Sequence, residues 1–335
     1  MSGDLPPRVP TTATGLPATP ERQPEDAALT QPLLAIGGST ASGKSALAIG
    51  LALALGGEIV NADSRQIYRG MDIGTAKPTT AQRAAVPHHL LDLADPAEEF
   101  TLAHYAASAH ATIRAIQARG RLPVLVGGTG LYLRAVTQGY TVPEAPPDPA
   151  LRLELEGRAA ADGLGALLTQ LEALDPVTAA RIDRKNPRRV IRALEVCLTL
   201  GVPFSALQRR SPPYRHLTLV LTGERERLYA RADARLAEML AAGFAAEVAA
   251  LLEAGVDPAR PAMSALGYRE LAGWLRGETS REAAEEATRL ATHGFIRRQA
   301  TWFRGEPGAH GISIDHGDPL ASALPLIEAH LAVGS

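Results

Sequence analysis

Residues Gly38, Ser39, Thr40, Ala41, Ser42, Gly43, Lys44 and Ser45 satisfy the phosphate-loop pattern G-x-x-x-x-G-K-[ST] at every position and follow the apolar run Leu33-Leu34-Ala35-Ile36. Such a segment cradles a diphosphate. Glycine lets backbone N–H groups close around phosphate oxygens, and the helix that follows presents unpaired N–H donors at its positive end. Lys44 adds a point charge, and the Ser45 hydroxyl can hold Mg²⁺. The strand before the loop and the amphipathic Ala46-Leu47-Ala48-Ile49-Gly50-Leu51-Ala52 after it stand where the pattern needs them. The loop alone does not say which phosphate compound is held.

Asp63 follows the second apolar run, at the edge where the phosphates would lie. Its carboxylate can act as a general base or a Mg²⁺ partner, or it can cap a short helix beginning near Ser64. Asp92, within His89-Leu90-Leu91-Asp92-Leu93, could be the metal-side acid of an NTPase, but its apolar neighbours favour a structural partner. Gly127 and Gly128 end the run Leu122 to Val126 where an NTP hydrolase usually carries an acid. Together with Thr129 they offer close backbone approach and a hydroxyl, which suits a second diphosphate or substrate contact as well as a tight turn with a capping threonine. The pair His88-His89 has no third ligand at a metal spacing and reads as a structural loop.

Arg181, Arg184, Lys185, Arg188, Arg189 and Arg192 crowd one stretch against the single acid Asp183, while Val190, Ile191, Leu194, Cys197 and Leu198 form the opposite face. A basic stripe opposite an apolar face suits a phosphodiester backbone more than a merely solvated surface. Cys197, on the apolar side, reads as core. A later helix sets Arg297, Arg298 and Arg304 around Gln299, Trp302 and Phe303. Arginine interleaved with aromatics can stack a nucleobase, although the spacing serves Phe295, Trp302 and Phe303 equally as core anchors.

The elements that must position these groups follow an alternating pattern. Strands are expected at Leu33 to Gly37, Glu58 to Asn61, His89 to Leu93 and Leu122 to Val126, with helices at Lys44 to Leu55 and Leu102 to Arg119. This order implies an α/β fold with a parallel sheet flanked by helices, whose ligands sit beyond the carboxyl ends of the strands. The proline-rich Val142 to Pro149 marks a boundary. After it comes an all-helical stretch from Leu151 to about Gln208, with helices at Leu164 to Leu174 and after the cap Asn186 and first-turn Pro187. The strand-like Leu217 to Leu221 returns to the sheet, followed by helices over Glu224 to Leu240, Ala245 to Glu253, Tyr268 to Arg276 and Arg281 to Arg304. The expected organisation is therefore a phosphate-loop core at 32–141 and 211–335, interrupted by a helical insertion at 142–210. Residues 1–31, rich in Pro and Thr without periodicity, read as a disordered tail and not a secretory signal.

With 335 residues and 46% apolar content the chain can bury a sizeable core. A single cysteine excludes a disulfide framework, no run is long enough for a membrane span, and the expectation is a cytoplasmic monomer. The net charge of −2 excludes a protein basic over its whole surface and leaves room for a local patch.

In combination the motifs resemble the tRNA dimethylallyltransferase family. The residues that carry the resemblance run from the loop at 38–45 through Asp63-Ser-x-Gln-x-Tyr68, Ile73-Gly-Thr-Ala-Lys-Pro78, Pro87-His-His-Leu90 and Gly127-Gly-Thr-Gly-Leu-Tyr132. They continue through Asn186 to Arg189 into Val-Ile-Arg-Ala-Leu-Glu195, and end at Arg298-Gln-x-Thr-Trp-Phe-Arg304.

The resemblance implies transfer of a five-carbon prenyl group from dimethylallyl diphosphate to N6 of the adenosine 3′-adjacent to the anticodon, with Mg²⁺ as cofactor and the anticodon stem-loop of tRNA as partner. It implies that Asp63 is the base, that Thr129 lies beside diphosphate and target base, and that Arg235 contacts the diphosphate. It further implies tRNA contacts from Asp63, Ser64, Arg65 and Gln66, from Lys185, Asn186, Pro187, Arg188 and Arg189, and from Arg298, with the adenosine flipped out of its stack. The Gln66 amide is suited to read an adenine edge. Ser39 stands where the family usually has proline, which alters loop stiffness but removes no phosphate ligand. His293 stands where it more often has arginine, so one anticodon-loop or diphosphate contact is expected to be weaker or pH-sensitive. Rival readings are prenyl transfer onto a free adenine nucleotide, a small-molecule kinase sharing the loop, and an RNA-binding module without catalysis. The basic stripe speaks against the first, the Gly127-Gly128-Thr129 strand end against the second, and the intact loop with Asp63 against the third.

Overall fold

The computed structural model describes residues 32–139, 148–207 and 212–332. The expected tail at 1–31 and most of the proline-rich boundary lie outside these residues. Strands β1 (Pro32–Gly38), β2 (Gly57–Asn61), β3 (His88–His89), β4 (Leu122–Val126), β5 (Arg215–Thr222) and β6 (His310–Ser313) form one sheet in the order β3-β2-β4-β1-β5-β6. All neighbours are parallel, and register places Leu34 of β1 opposite Val124 on one side and Leu217 on the other.

The first half of the chain contributes helices α1 (Lys44–Leu55), α2 (Thr80–Ala85), α3 (Leu102–Ala118) and α4 (Gly130–Thr137). Between α4 and β5 come α5 (Pro149–Asp162), α6 (Leu164–Leu174), α7 (Pro176–Arg181), α8 (Pro187–Leu200) and α9 (Phe204–Leu207). After β5 follow α10 (Arg225–Ala241), α11 (Phe244–Glu253), α12 (Tyr268–Leu275), α13 (Arg281–Arg304) and α14 (Pro319–Ala332).

Because a strand's side chains alternate between faces, the near-continuous apolar runs of β1, β4 and β5 bury both sides of the sheet. Leu34, Ile36, Val124 and Leu219 pack with Leu47 and Leu51 of α1, Leu228 of α10 and Ile327 of α14. Leu33, Ala35, Leu125 and Val220 pack on the other face with Tyr105 and Ile113 of α3 and Leu133 of α4. Helix α13 joins both layers, Ile296 in the first and Phe303 in the second. It therefore crosses the sheet at the carboxyl end of β1, directly over the phosphate loop.

The helices α5 to α8 close around their own core of Leu155, Leu167, Leu171, Val190, Leu194 and Cys197. Three of them start alike: Asp148, Asp175 and Asn186 each accept a backbone N–H through the side chain, and each is followed by proline in the first turn. Glu195, fully buried on α8, accepts from Arg152 and Arg192 and from the Asp148 backbone N–H. Burial opposes its ionisation, but the Arg192 and Arg152 bonds outweigh burial and hold the carboxyl below its usual value of 4.5. Glu195→Ala is expected to destabilise this helical unit by about 2 kcal/mol, the worth of hydrogen bonds to a charged group. A depressed carboxyl contributes stability above its unfolded value and loses it as pH falls through the folded one. The wild-type advantage in urea melts should therefore be complete at neutral pH and vanish below the carboxylate range.

Two expectations need correction. The third strand stops at His89, since Leu90 and Asp92 take left-handed φ values of 64° and 57° that no strand admits. Asp92 consequently leaves the sheet and accepts from Lys77 and Arg83 at 2.5 and 3.2 Å, a structural partner as its neighbours implied. The segment after Asp63 forms turns and not a helix.

Candidate active site

Beyond the carboxyl ends of β1, β2 and β4 lie two adjoining cavities, of about 310 and 410 Å³. Thr40, Asp63, Gly74, Thr75 and Gly128 line both. Asp63 thus stands on the common wall, where a group in one cavity meets a group in the other.

The smaller cavity is built for an anion. Gly43, with φ 92°, opens α1 with no side-chain cap, leaving the first-turn N–H groups facing the loop, and Ala41 is held at φ 62°. Lys44, Ser45, Arg231 and Arg235 line the chamber. Lys44 Nζ donates to the Ser39 carbonyl at 2.7 Å. Burial, with Asp63 opposing and Arg235 adding to it, draws the Lys44 ammonium down to about 8. Arg235 is lowered by burial and then by its neighbour Arg231. Three cations so close repel one another until an anion enters, and a diphosphate relieves that repulsion.

The larger cavity is built for a flat group. Phe295, Arg298, Gln299 and Trp302 of α13 line it together with Thr129, Gly130 and Ser264 to Leu266. Arg134 lies over the Trp302 ring at 4.5 Å and Arg298 over Phe295 at 5.7 Å. The aromatics of this helix therefore divide: Phe303 is core and Phe295 and Trp302 are chamber wall.

The Asp63 carboxylate is held by its neighbours. Its Oδ1 accepts from the Arg65 backbone N–H at 2.8 Å, and the Asn61 side chain receives the Asp63 N–H at 3.1 Å and donates to the Leu90 carbonyl at 3.1 Å. Thr129 stands at the N-cap position of α4, yet its hydroxyl accepts the Ser64 N–H at 3.0 Å and donates to Ser64 Oγ at 3.2 Å instead of capping the helix. The threonine joins the β4 turn to the Asp63 segment. The first glycine before it is required by contact, since a Cβ on Gly127 would lie 2.0 Å from the Ala62 carbonyl oxygen, and a Cβ on Gly128 would lie 2.5 Å from Gln299 Nε2 and displace that amide.

Gln299 was not among the residues expected at the site, although it fastens the site together. It accepts from the Thr40 N–H at 2.8 Å and donates to the Gly128 carbonyl at 2.9 Å. Arg231 likewise escaped sequence reasoning, although its four-residue spacing from Arg235 on an amphipathic helix was a usable signal.

Of the other expected residues, Ser64 and Arg65 line the larger cavity and Gln66 the smaller one. The Gln66 amide nitrogen donates to the carbonyls of Thr75 and Ala76 at 3.0 and 3.1 Å. Arg65 reaches the Pro261 carbonyl at 2.6 Å. His293 lines neither chamber: its Nε2 meets Asp233 at 2.7 Å and its ring stacks on Tyr229 at 3.9 Å. In the helical unit, Lys185, Arg188 and Arg189 are exposed, while Asn186 is spent on capping α8. None of these four, nor Pro187, lines the chambers. Arg184 pairs with Glu172 and Arg192 with Glu195, so part of the stripe neutralises the unit's own acids. Among the described residues no His, Cys, Asp and Glu cluster could by itself hold a metal ion.

The family model described as IPP transferase matches residues 66–306. The chain belongs to the IPP transferase family. It is 50% identical over 275 residues to the tRNA dimethylallyltransferase of Thermomicrobium roseum, covering 82% of this chain and 84% of that one. It is 52% identical over 287 residues to that of Chloroflexus aggregans, covering 85% and 97%. Among solved structures, the tRNA isopentenylpyrophosphate transferase of Bacillus halodurans superposes with a TM-score of 0.69 at 36% identity, covering 91% of this chain and 98% of that one. A eukaryotic dimethylallyltransferase described as acting on tRNA superposes with a TM-score of 0.72 at 25% identity, covering 88% and 78%. The α/β architecture expected from the sequence is thus the fold of IPP transferase family members. No helix among the described residues is long and apolar enough to cross a membrane.

Proposed function

We propose that the protein transfers the dimethylallyl group of dimethylallyl diphosphate to N6 of the adenosine 3′-adjacent to the anticodon of tRNA. The carrying observation is the place of Asp63, on the wall shared by a cationic chamber and an aromatic one. The names of the relatives support the RNA acceptor over a free nucleotide and prenyl transfer over a kinase reaction.

In the proposed step the N6 lone pair attacks the allylic carbon, the carbon–oxygen bond breaks with its electron pair going to the diphosphate, and the N6 proton passes to Asp63. An amino group conjugated to a purine is weakly nucleophilic, so removal of its proton must accompany bond formation. Lys44, Arg231, Arg235 and the loop amides receive the developing negative charge, and Gln299 fixes the loop beforehand so that little reorganisation accompanies the step. Ser45 offers a single hydroxyl next to Lys44, a donor set that suits Mg²⁺ bound chiefly through substrate phosphates. When present, the ion would neutralise charge on the leaving diphosphate. Holding the two reactants in line is worth about 7–11 kcal/mol and outweighs the base.

The test is incubation of the full chain with Mg²⁺, dimethylallyl diphosphate and either an unmodified tRNA or AMP, followed by mass analysis of the nucleosides. A prenyl mass gain on the tRNA is expected; gain on AMP alone would reverse the assignment. The exposed Arg188 and Arg189 are proposed RNA contacts. Replacing both with Gln should weaken tRNA binding and reduce the slope of log affinity against log salt by about 1.5. An unchanged slope in filter-binding titrations would remove them from the interface.

A further inference from the structure

The segment from Met71 to Lys77 reaches between the two chambers, with Gly74 and Thr75 lining both beside Asp63. Its own turn does not account for its position. Three consecutive backbone N–H groups, of Asp72, Ile73 and Gly74, point at one carboxylate: Glu247 of α11 accepts them at 2.7, 2.7 and 3.1 Å. The Tyr268 hydroxyl donates to the same carboxylate at 2.6 Å. Successive N–H groups that converge in this way form a concave anion site, and here a side chain of the protein fills it.

The far end of the segment is fixed by Lys77, whose ammonium donates to Asp72, Asp92 and the Tyr68 carbonyl. Its depth is fixed by contact: a Cβ on Gly74 would lie 2.1 Å from the Phe244 ring and 2.7 Å from that of Tyr268. Phe244 and Tyr268 are fully buried. Glu247 therefore couples α11, through the strap, to the width of the passage that Asp63 borders.

We propose that Glu247 is a positioning residue for the transfer, anchoring the strap at 72–74 so that the groups in the two chambers meet at reacting distance. The proposal rests on the prenyl-transfer reading for its kinetic consequence and on geometry alone for the anchoring. Glu247 touches neither reactant, so its loss should move alignment and not the charges that bind diphosphate.

Glu247→Ala and Glu247→Gln, each as the full chain, test it by amide hydrogen exchange and steady-state kinetics. In Glu247→Ala the amides of residues 72–74 should lose protection while those of β1 and β4 keep theirs. kcat should fall about 10²-fold, the usual cost of a misplacement near 1 Å, with KM for dimethylallyl diphosphate changed less than about threefold. Glu247→Gln, which retains an acceptor oxygen, should recover part of kcat, and added acetate should recover part in the alanine variant and none in the glutamine one. Unchanged kcat would overturn the positioning role. So would a loss that neither glutamine nor acetate reduces, or one carried wholly by KM. If the wild-type chain transferred no prenyl group, the functional reading would fail, and the exchange comparison would still decide whether Glu247 anchors the strap.

Discussion

Asp63→Asn is expected to lower the rate of prenyl transfer by about 10²–10⁴ while diphosphate and tRNA affinities stay near wild type. Asparagine keeps the oxygen that accepts the Arg65 N–H at 2.8 Å, and it leaves Asn61 free to hold the Asp63 backbone. The turn therefore survives and only the proton acceptor is removed. Asp63→Ala should show the same loss, with some added disorder of the turn. Single-turnover measurements with saturating tRNA isolate the chemical step, and separate binding titrations report on the ground state. Turnover unchanged in the asparagine variant would exclude Asp63 as the base.

Lys44→Ala should cost about 10²–10³ in kcat, as for removal of a donor aimed at developing charge, together with a raised KM for dimethylallyl diphosphate. The reason lies in how the ammonium is held. It is enclosed beside Arg235, and burial draws it to about 8, so its charge is poorly compensated until the anion arrives. Its attraction strengthens as the departing oxygen gains charge. The prediction separates from that for Asp63 because Lys44 should alter both kcat and KM for the diphosphate, and tRNA affinity measured alone should not move. A variant with normal kcat and a raised KM would restrict Lys44 to ground-state binding.

Much of this site was legible because its parts are local in sequence. The phosphate loop, Asp63 and Gly127-Gly128-Thr129 each follow an apolar strand, and a parallel sheet brings strand ends together whatever the intervening chain does. What escaped detection depends on distant pairs. Gln299 acts on Thr40 and Gly128, residues 259 and 171 positions away, and Glu247 reaches the strap 173 to 175 positions earlier. The motif that contains Gln299 does not say what its side chain reaches, and no local pattern marks Glu247. The third strand was drawn too long because Leu90, Leu91 and Leu93 suggest burial, whereas two left-handed residues turn the chain away. Strand β6 was missed because only Ile312 among its residues is buried, and α14 because Pro325 inside it resembles a stop signal. His293, expected from the resemblance to weaken a contact with RNA or diphosphate, faces α10 instead, where Asp233 and Tyr229 absorb it.

The wall that the two cavities share has a consequence for inhibitor chemistry. A single molecule carrying an adenosine at one end and a diphosphate mimic at the other could occupy both at once, provided its spacer passes between Thr40, Asp63 and Gly128. Binding of the first end would then present the second at a local concentration in the millimolar range. A spacer too short to cross that opening would lose the advantage entirely, so a graded series of lengths would measure the distance between the two reactants directly.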